Sequence, residues 1–155
     1  MGAVNILQTD LTVPRREKRD MEFFPWREQY SVGISSIDNQ HKRLVGSLNE
    51  LYNALDDGKG KEVLAKTLSG LIDYTKTHFA AEEGMMKLHD FPGYQEHKEI
   101  HAKMASRVLK LNKGFQEGEI SSPIQIANFL KEWLAKHIQE TDKKYGPFLN
   151  GKGAR

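Results

Sequence analysis

The chain has 155 residues, which is enough for one domain with a sizeable hydrophobic core. Its formal net charge is only +2, so the composition gives no reason to expect a nucleic acid partner. Because the sequence contains no cysteine, it excludes a disulfide framework, a thiolate zinc site, an iron–sulfur cluster and covalently attached haem. We find neither a signal-like apolar segment nor a run long enough to span a membrane, and we therefore expect a soluble, cytoplasmic protein.

Residues 1–20 are predicted to form a flexible basic extension. The run Pro14–Asp20 is polar and dense in charge, and it cannot bury much apolar surface. A docking arm or the remnant of a linker is the alternative to a plain solvated tail. Residues 21–36 contain several aromatic residues and turn formers, which predict an ordered, non-helical arm at the start of a domain that covers residues 21–150.

Four amphipathic helices are predicted after the arm. In each, apolar side chains recur three and four residues apart, which is the spacing of one helix face. Short loops join these helices. Together they predict an all-α protein with the fold of an antiparallel up-down-up-down four-helix bundle. The expected bounds are about Ser36–Asp56, Lys61–Leu88, Tyr94–Gln116, and Ser122–Pro123 to Gly146–Pro147.

Local signals predict where the first and last helices begin and end. Either Ser35 or Ser36 can cap the first helix, and Asp57–Gly58 can end it. Ser122 can cap the fourth helix, because a proline at the first helical position follows it.

Imidazole and carboxylate side chains lie on the apolar stripes of these helices. His78 and Glu82 are four residues apart on the second helix, so both point into the bundle. The same spacing relates His97 and His101 on the third helix. On the first helix, His41 lies on the stripe as well.

His137 and Asp142 on the fourth helix are five residues apart. In a regular helix this spacing turns Asp142 away from the buried face, so we expect a local loosening of the last turns to bring it in. Because the helices alternate in direction, all seven groups are predicted to meet in one layer of the bundle.

Burying these groups without a partner would cost several kcal/mol, whereas a metal ion supplies compensating charge. A single histidine on an apolar stripe is more often a hydrogen-bonded core residue, and for this reason His89 is given no role. Several helices that each bury an imidazole at the same level predict a metal site instead. The predicted ligands are His41, His78, Glu82, His97, His101, His137 and Asp142.

Seven protein ligands are too many for one ion. Two ions of about six-fold coordination need about twelve bonds, of which five histidines and two bridging carboxylates supply nine. An oxo or hydroxo bridge supplies two more, so one position is left for a small ligand. Imidazole and carboxylate donors suit iron, and the majority of neutral donors favours dioxygen binding over oxygenase chemistry.

This ligand set resembles that of the hemerythrin family, and residues 26–148 are similar to bacterial hemerythrins throughout. The segment from Trp26 to His41 also matches the family pattern. The resemblance implies that His97, His101 and His137 hold one iron, and that His41 and His78 hold the iron with the open position.

The resemblance further implies that Glu82 and Asp142 bridge the two irons and that dioxygen binds reversibly. Leu44, Trp133 and Leu134 would line the oxygen pocket and keep it dry, with ordinary core packing as the alternative reading.

The function expected from the sequence is reversible dioxygen binding for carriage, storage or delivery, in a protein that is not an enzyme. One alternative is an oxygen or redox sensor, in which the aromatic arm moves and a partner protein, which the sequence does not identify, responds. The other is a di-iron peroxide or nitric oxide reductase, which a second carboxylate for proton delivery would favour.

Overall fold

The computed structural model describes residues 22–58, 60–120 and 122–155 of the chain. The predicted extension, residues 1–20, lies outside these residues. The described part contains helices and connecting turns and no strand. The bounds of the α-helices are α1 Ser35–Asp56, α2 Gly60–Leu88, α3 Tyr94–Gln116, α4 Pro123–Lys136 and α5 Gly146–Gly151.

Helices α1 to α4 form the predicted antiparallel four-helix bundle, and this prediction is confirmed. Helix α1 packs against α2 and α4, and α2 packs against α3. The core consists of the apolar stripes, which are leucine-rich on α1 and α2 and include Met104, Val108 and Ile126 on the other two helices. Among the described residues, no helix combines the length and the apolar character that a membrane span requires.

The start of α1 differs from the prediction. Ser35 and Ser36 do not cap the helix, since Ile34 occupies the capping position and makes no side-chain bond there. The carboxylate of Asp38 binds the arm instead, accepting hydrogen bonds from the Val32 N–H at 2.8 Å and the Ser31 hydroxyl at 2.6 Å. The end is as predicted, with Gly58 in the left-handed region at φ +76°.

The arm is non-helical apart from one 3₁₀ turn, Glu28–Tyr30. Asn49 on α1 holds it by two bonds, one from the Phe24 N–H at 2.7 Å and one to the Phe24 carbonyl at 3.0 Å. At its other end the arm contacts Gly146, where a Cβ atom would overlap the carbonyl oxygen of Val32. The absence of a side chain at Gly146 therefore allows the arm to lie close to the end of the bundle.

The fourth helix was expected to run to Gly146–Pro147, and this was wrong in part. After α4 the chain forms a π-helical turn, His137–Thr141, and then a 3₁₀ turn, Asp142–Lys144. Gly146–Pro147 does not simply stop the helix but begins α5, because a proline fits the first turn of a new helix.

Candidate metal centre

The seven residues predicted as ligands come together inside the bundle. Each is at most 5% exposed, and they are the only buried polar or charged residues in the described ranges. Their donors come from four places: His41 on α1, His78 and Glu82 on α2, His97 and His101 on α3, and His137 and Asp142 in the turns after α4.

Glu82 directs its two carboxylate oxygens toward different histidines. Oε1 lies 3.1 Å from His78 Nε2 and 3.2 Å from His41 Nε2. Oε2 lies 3.1 Å from His101 Nε2. The carboxylate therefore stands between a pair of histidines on one side and a further histidine on the other.

Asp142 divides its oxygens in the same way. Oδ2 lies 3.1 Å from His41 Nε2, whereas Oδ1 lies 3.0 Å from His97 Nε2 and 2.9 Å from His137 Nε2. Both carboxylates thus have the placement that a bridge between two neighbouring ions requires.

The donors form two groups, each compact enough to hold a metal ion. We call them the two-histidine group and the three-histidine group, and in each the donor atoms lie within 4.8 Å of one another. Glu82 and Asp142 belong to both. The two-histidine group adds His41 and His78, and the three-histidine group adds His97, His101 and His137. His89 belongs to neither and lies in the turn after α2.

The π-helical turn explains how Asp142 reaches the site. Five residues of regular α-helix would place Asp142 about 140° around the axis from His137. The wider π turn takes up the extra residue and returns both side chains to one face, as the sequence led us to expect.

Several donor atoms have no other use in the fold. Six buried atoms of the described residues lie about 3 Å from other donor atoms of the centre, yet none of them makes a hydrogen bond of normal geometry: Glu82 Oε2, both Asp142 carboxylate oxygens and the Nε2 atoms of His97, His101 and His137. Buried polar atoms are nearly always satisfied, and a layer of unsatisfied lone pairs is what bound cations would satisfy. The residues present therefore fit a metal centre.

The charges in the site depend on one another. Burial lowers the pKa of His41 and of His97, but the nearby carboxylates of Asp142 and Glu82 outweigh it and raise each pKa to about 9. Burial raises the pKa of the Glu82 carboxyl, yet the surrounding histidines hold it well below its usual range. The pKa of Asp142 is lowered too, since His137 and His41 outweigh burial and the charge of Glu82.

Three residues that sequence reasoning did not single out support the centre from behind. The amide oxygen of Gln40 lies 2.6 Å from His78 Nδ1, and the Glu83 carboxylate lies 3.0 Å from His101 Nδ1. Because each acceptor receives a hydrogen bond from Nδ1–H, the ring proton stays on Nδ1 and the Nε2 lone pair is free to bind metal. Gln40 and Glu83 each adjoin a predicted ligand, which is the one signal that could have found them.

The third supporting residue is Tyr145, whose hydroxyl donates to Glu82 Oε1 at 2.7 Å. Tyr145 is 1% exposed. Burial and the charges of Glu82 and Asp142 raise its pKa well above the usual range, so the hydroxyl keeps its proton and remains a donor.

An apolar cavity of about 40 Å³ adjoins the centre. A cavity of this size has room for a water molecule or a diatomic gas. Among the described residues, no carboxylate lines it, and its polar side chains are Thr75, His78 and His137. The other lining residues are Leu44, Leu48, Leu71, Phe79, Met104, Val108, Leu130, Trp133 and Leu134, so all three predicted pocket residues lie on its wall.

Two aromatic rings of the cavity wall stack on histidines of the centre. Phe79 lies parallel to His101, with ring centroids 3.7 Å apart, and Trp133 lies nearly parallel to His137 at 4.4 Å. These contacts fix the planes of the two imidazoles and exclude water from one side of the site.

Comparison with known proteins agrees with this geometry. The sequence pattern of the hemerythrin HHE cation binding domain matches residues 32–149. The bacteriohemerythrin of Pseudomonas aeruginosa (strain LESB58) is 36% identical over 125 residues, which cover 81% of this chain and 80% of the relative. The bacteriohemerythrin of Methylococcus capsulatus (strain ATCC 33009 / NCIMB 11132 / Bath) is 32% identical over 122 residues, or 79% of this chain and 92% of the relative.

A solved structure of wild-type hemerythrin superposes with a TM-score of 0.76 at 30% identity, covering 82% of this chain and 98% of that one. Fold, buried donor set and sequence all agree with one another, and the chain belongs to the hemerythrin family.

Proposed function

We propose that this protein binds dioxygen reversibly at a non-haem di-iron centre formed by the two donor groups. One observation carries the proposal. In Glu82 and in Asp142, one carboxylate oxygen faces the two-histidine group and the other oxygen faces the three-histidine group. Two ions bridged in this way leave the two-histidine group one donor short, and a small ligand can occupy that position. Family membership supports iron and dioxygen as the metal and the ligand.

The donor set supports iron rather than zinc. A structural zinc site is filled by four ligands, whereas the two groups together contain seven residues. A bound ferrous pair would supply the two electrons that dioxygen takes up on binding and returns on leaving. The protein holds the centre with neutral imidazoles and only two carboxylates, which limits how far the metal can be oxidised.

The cavity supports reversible binding over further reaction. Leu44, Trp133 and Leu134 on its wall would limit the access of water. A dry site would supply few protons, so dioxygen that has taken up two electrons would return them on leaving rather than depart as hydrogen peroxide. The Tyr145 hydroxyl donates a hydrogen bond to Glu82 Oε1, and this bond reduces the negative charge that Oε1 offers to the two-histidine group. We propose on this basis that the protein is not an enzyme.

The test begins with anaerobic reconstitution with ferrous iron, followed by exposure to air and then to argon. We expect about two iron atoms per chain and a visible absorption band that appears with air and disappears under argon. Irreversible conversion to the diferric form with each dioxygen consumed would contradict reversible binding. Steady consumption of peroxide or nitric oxide by the same sample would contradict the proposal that the protein is not an enzyme.

Oxygen sensing is the second candidate, and one contact favours it. Asp38 lies one turn before His41 and binds the arm through Ser31 and Val32, so a shift of His41 can reach the arm. A change in protease cleavage or amide exchange of the arm between deoxygenated and oxygenated protein would support sensing. If cleavage and exchange of the arm are the same in both forms, sensing through the arm is contradicted, and carriage or storage remains.

A further inference from the structure

Two histidines of the centre, one in each group, are held from behind by acceptors of different charge. His78 Nδ1 donates to the neutral amide oxygen of Gln40 at 2.6 Å. His101 Nδ1 donates to the carboxylate of Glu83 at 3.0 Å. Both acceptors lie on a helix next to that of the histidine they contact, Gln40 on α1 and Glu83 on α2.

The difference in charge matters because a carboxylate acceptor draws the Nδ1 proton toward itself and makes the ring a stronger donor at Nε2. The side chain of His101 is 2% exposed and that of Glu83 is 22% exposed, so this hydrogen bond is largely shielded from water. Phe79 stacks on one face of the His101 ring and keeps the ring in place. An amide oxygen orients a ring in the same way but adds no charge.

We infer that Glu83 and Gln40 are positioning residues that make the two metal positions unequal in redox potential. The inference rests on the di-iron centre proposed above. Glu83 strengthens His101 and stabilises the higher oxidation state in the three-histidine group, so the iron there is oxidised first. Gln40 orients His78 without charge, and the iron in the two-histidine group, where dioxygen would bind, keeps its electron longer.

The first experiment removes the charge of Glu83 and keeps an acceptor. In iron-loaded Glu83→Gln under argon, we expect the first oxidation midpoint to rise. When the reduced variant is then exposed to air, we expect autoxidation to be slower by about tenfold, the lower end of the changes in activity caused by substitutions next to a metal ligand. The matched control is Glu99→Gln, which removes the same charge from an exposed position two residues from His101. An equal shift in both variants would overturn the inference, since a general field effect would explain it.

The reciprocal experiment adds a charge behind His78. Gln40→Glu should lower the second oxidation midpoint, whereas Asn39→Asp, which adds a charge at an exposed neighbouring position, should not. In the double variant Glu83→Gln with Gln40→Glu, we expect the order of oxidation to reverse. The hyperfine-shifted Nδ1–H signals of His78 and His101 in the half-oxidised protein report that order.

If Glu83→Gln does not retain iron, the Gln40→Glu and Asn39→Asp pair decides the question alone, and equal midpoints in the two would overturn the inference. Because the potentials are measured without oxygen, the result is separate from the proposed function. A wild type that holds iron but fails to bind dioxygen reversibly would contradict only the proposed function.

Discussion

His137 Nε2 and Asp142 Oδ1 lie 2.9 Å apart although the two residues are five positions apart along the chain. The π-helical turn His137–Thr141 makes this contact, because its wider winding returns the fifth residue to the starting face. Asp142 thereby faces His41 and His97 as well, and one carboxylate serves histidines from α1, α3 and the turn after α4.

Loss of the Asp142 carboxylate should therefore affect both metal positions. We expect Asp142→Asn to lower iron affinity by more than about 100-fold, since the change removes a shared ligand rather than a supporting residue. Metal analysis after dialysis measures the loss, and circular dichroism checks that the helices remain. Glu140→Gln is the control, because Glu140 is exposed and forms a surface ion pair with Lys136 at 4.0 Å. Unchanged iron content in Asp142→Asn would refute the bridging role.

Loss of a histidine from the two-histidine group should separate the two positions. In His78→Ala we expect iron to fall from about two atoms per chain to about one, with dioxygen binding abolished and the bundle still folded. His89→Ala is the control, since His89 is half-buried in the turn after α2 and belongs to neither group. Retained oxygenation in His78→Ala would show that the open position lies elsewhere.

The leucines of the cavity wall should affect the lifetime of the oxygenated protein. Leu44→Ala and Leu51→Ala each remove a buried leucine of α1 and should each cost about 2–5 kcal/mol of unfolding free energy. Only Leu44 lines the cavity beside the centre, so only Leu44→Ala should admit water there and speed autoxidation. Chemical denaturation measures the first effect, and decay of the visible band in air measures the second. Similar decay in both variants would mean that the cavity does not protect the site.

The raised pKa values predict how the stability of the chelator-treated protein changes with pH. His41 and His97 have folded pKa values of about 9, above the ordinary histidine value of 6.5. Their contribution to stability is therefore complete below about pH 6.5 and is lost as the pH rises to about 9. Glu82 and Asp142 have lowered pKa values, so their contribution is lost as the pH falls below about 4.

Maximum stability of the metal-free protein should therefore lie between about pH 4.5 and 6.5, and thermal unfolding across pH 4–9 measures it. Protein loaded with zinc, in which the imidazoles carry metal instead of protons, should not lose stability between pH 6.5 and 9. A metal-free protein that is more stable at pH 9 than at pH 6 would contradict the assigned pKa shifts.

Much of this fold follows from local patterns in the sequence. The bounds of α3, Tyr94–Gln116, agree with those predicted, because apolar periodicity and a flanking Pro92–Gly93 turn decide them locally. The start of α1 was wrong because its contacts are not local. Asp38 accepts hydrogen bonds from Ser31 and Val32 in the arm. These bonds depend on how the arm packs against α1, which local sequence signals do not show.

The seven donors could be placed from the sequence because each lies on a buried stripe, where helix geometry fixes direction. Their roles as ligands of two irons stay a prediction until the metal is measured. Gln40 and Glu83 could not be placed in the same way. Each adjoins a donor and is rotated about 100° from it around the helix, so its partner depends on how neighbouring helices pack. Tyr145 lies beyond the π turn, where helical spacing no longer applies.

Glu82 and Asp142 each belong to both donor groups, and this affects how the two halves of the bundle come together. Helices α1 and α2 form one hairpin and carry Glu82, whereas α3, α4 and the following turns form another and carry Asp142. Each hairpin supplies one carboxylate to the ion that the other mainly holds. Neither half can complete a site alone, so a fully ligated ion joins the two hairpins, and metal binding stabilises their docking.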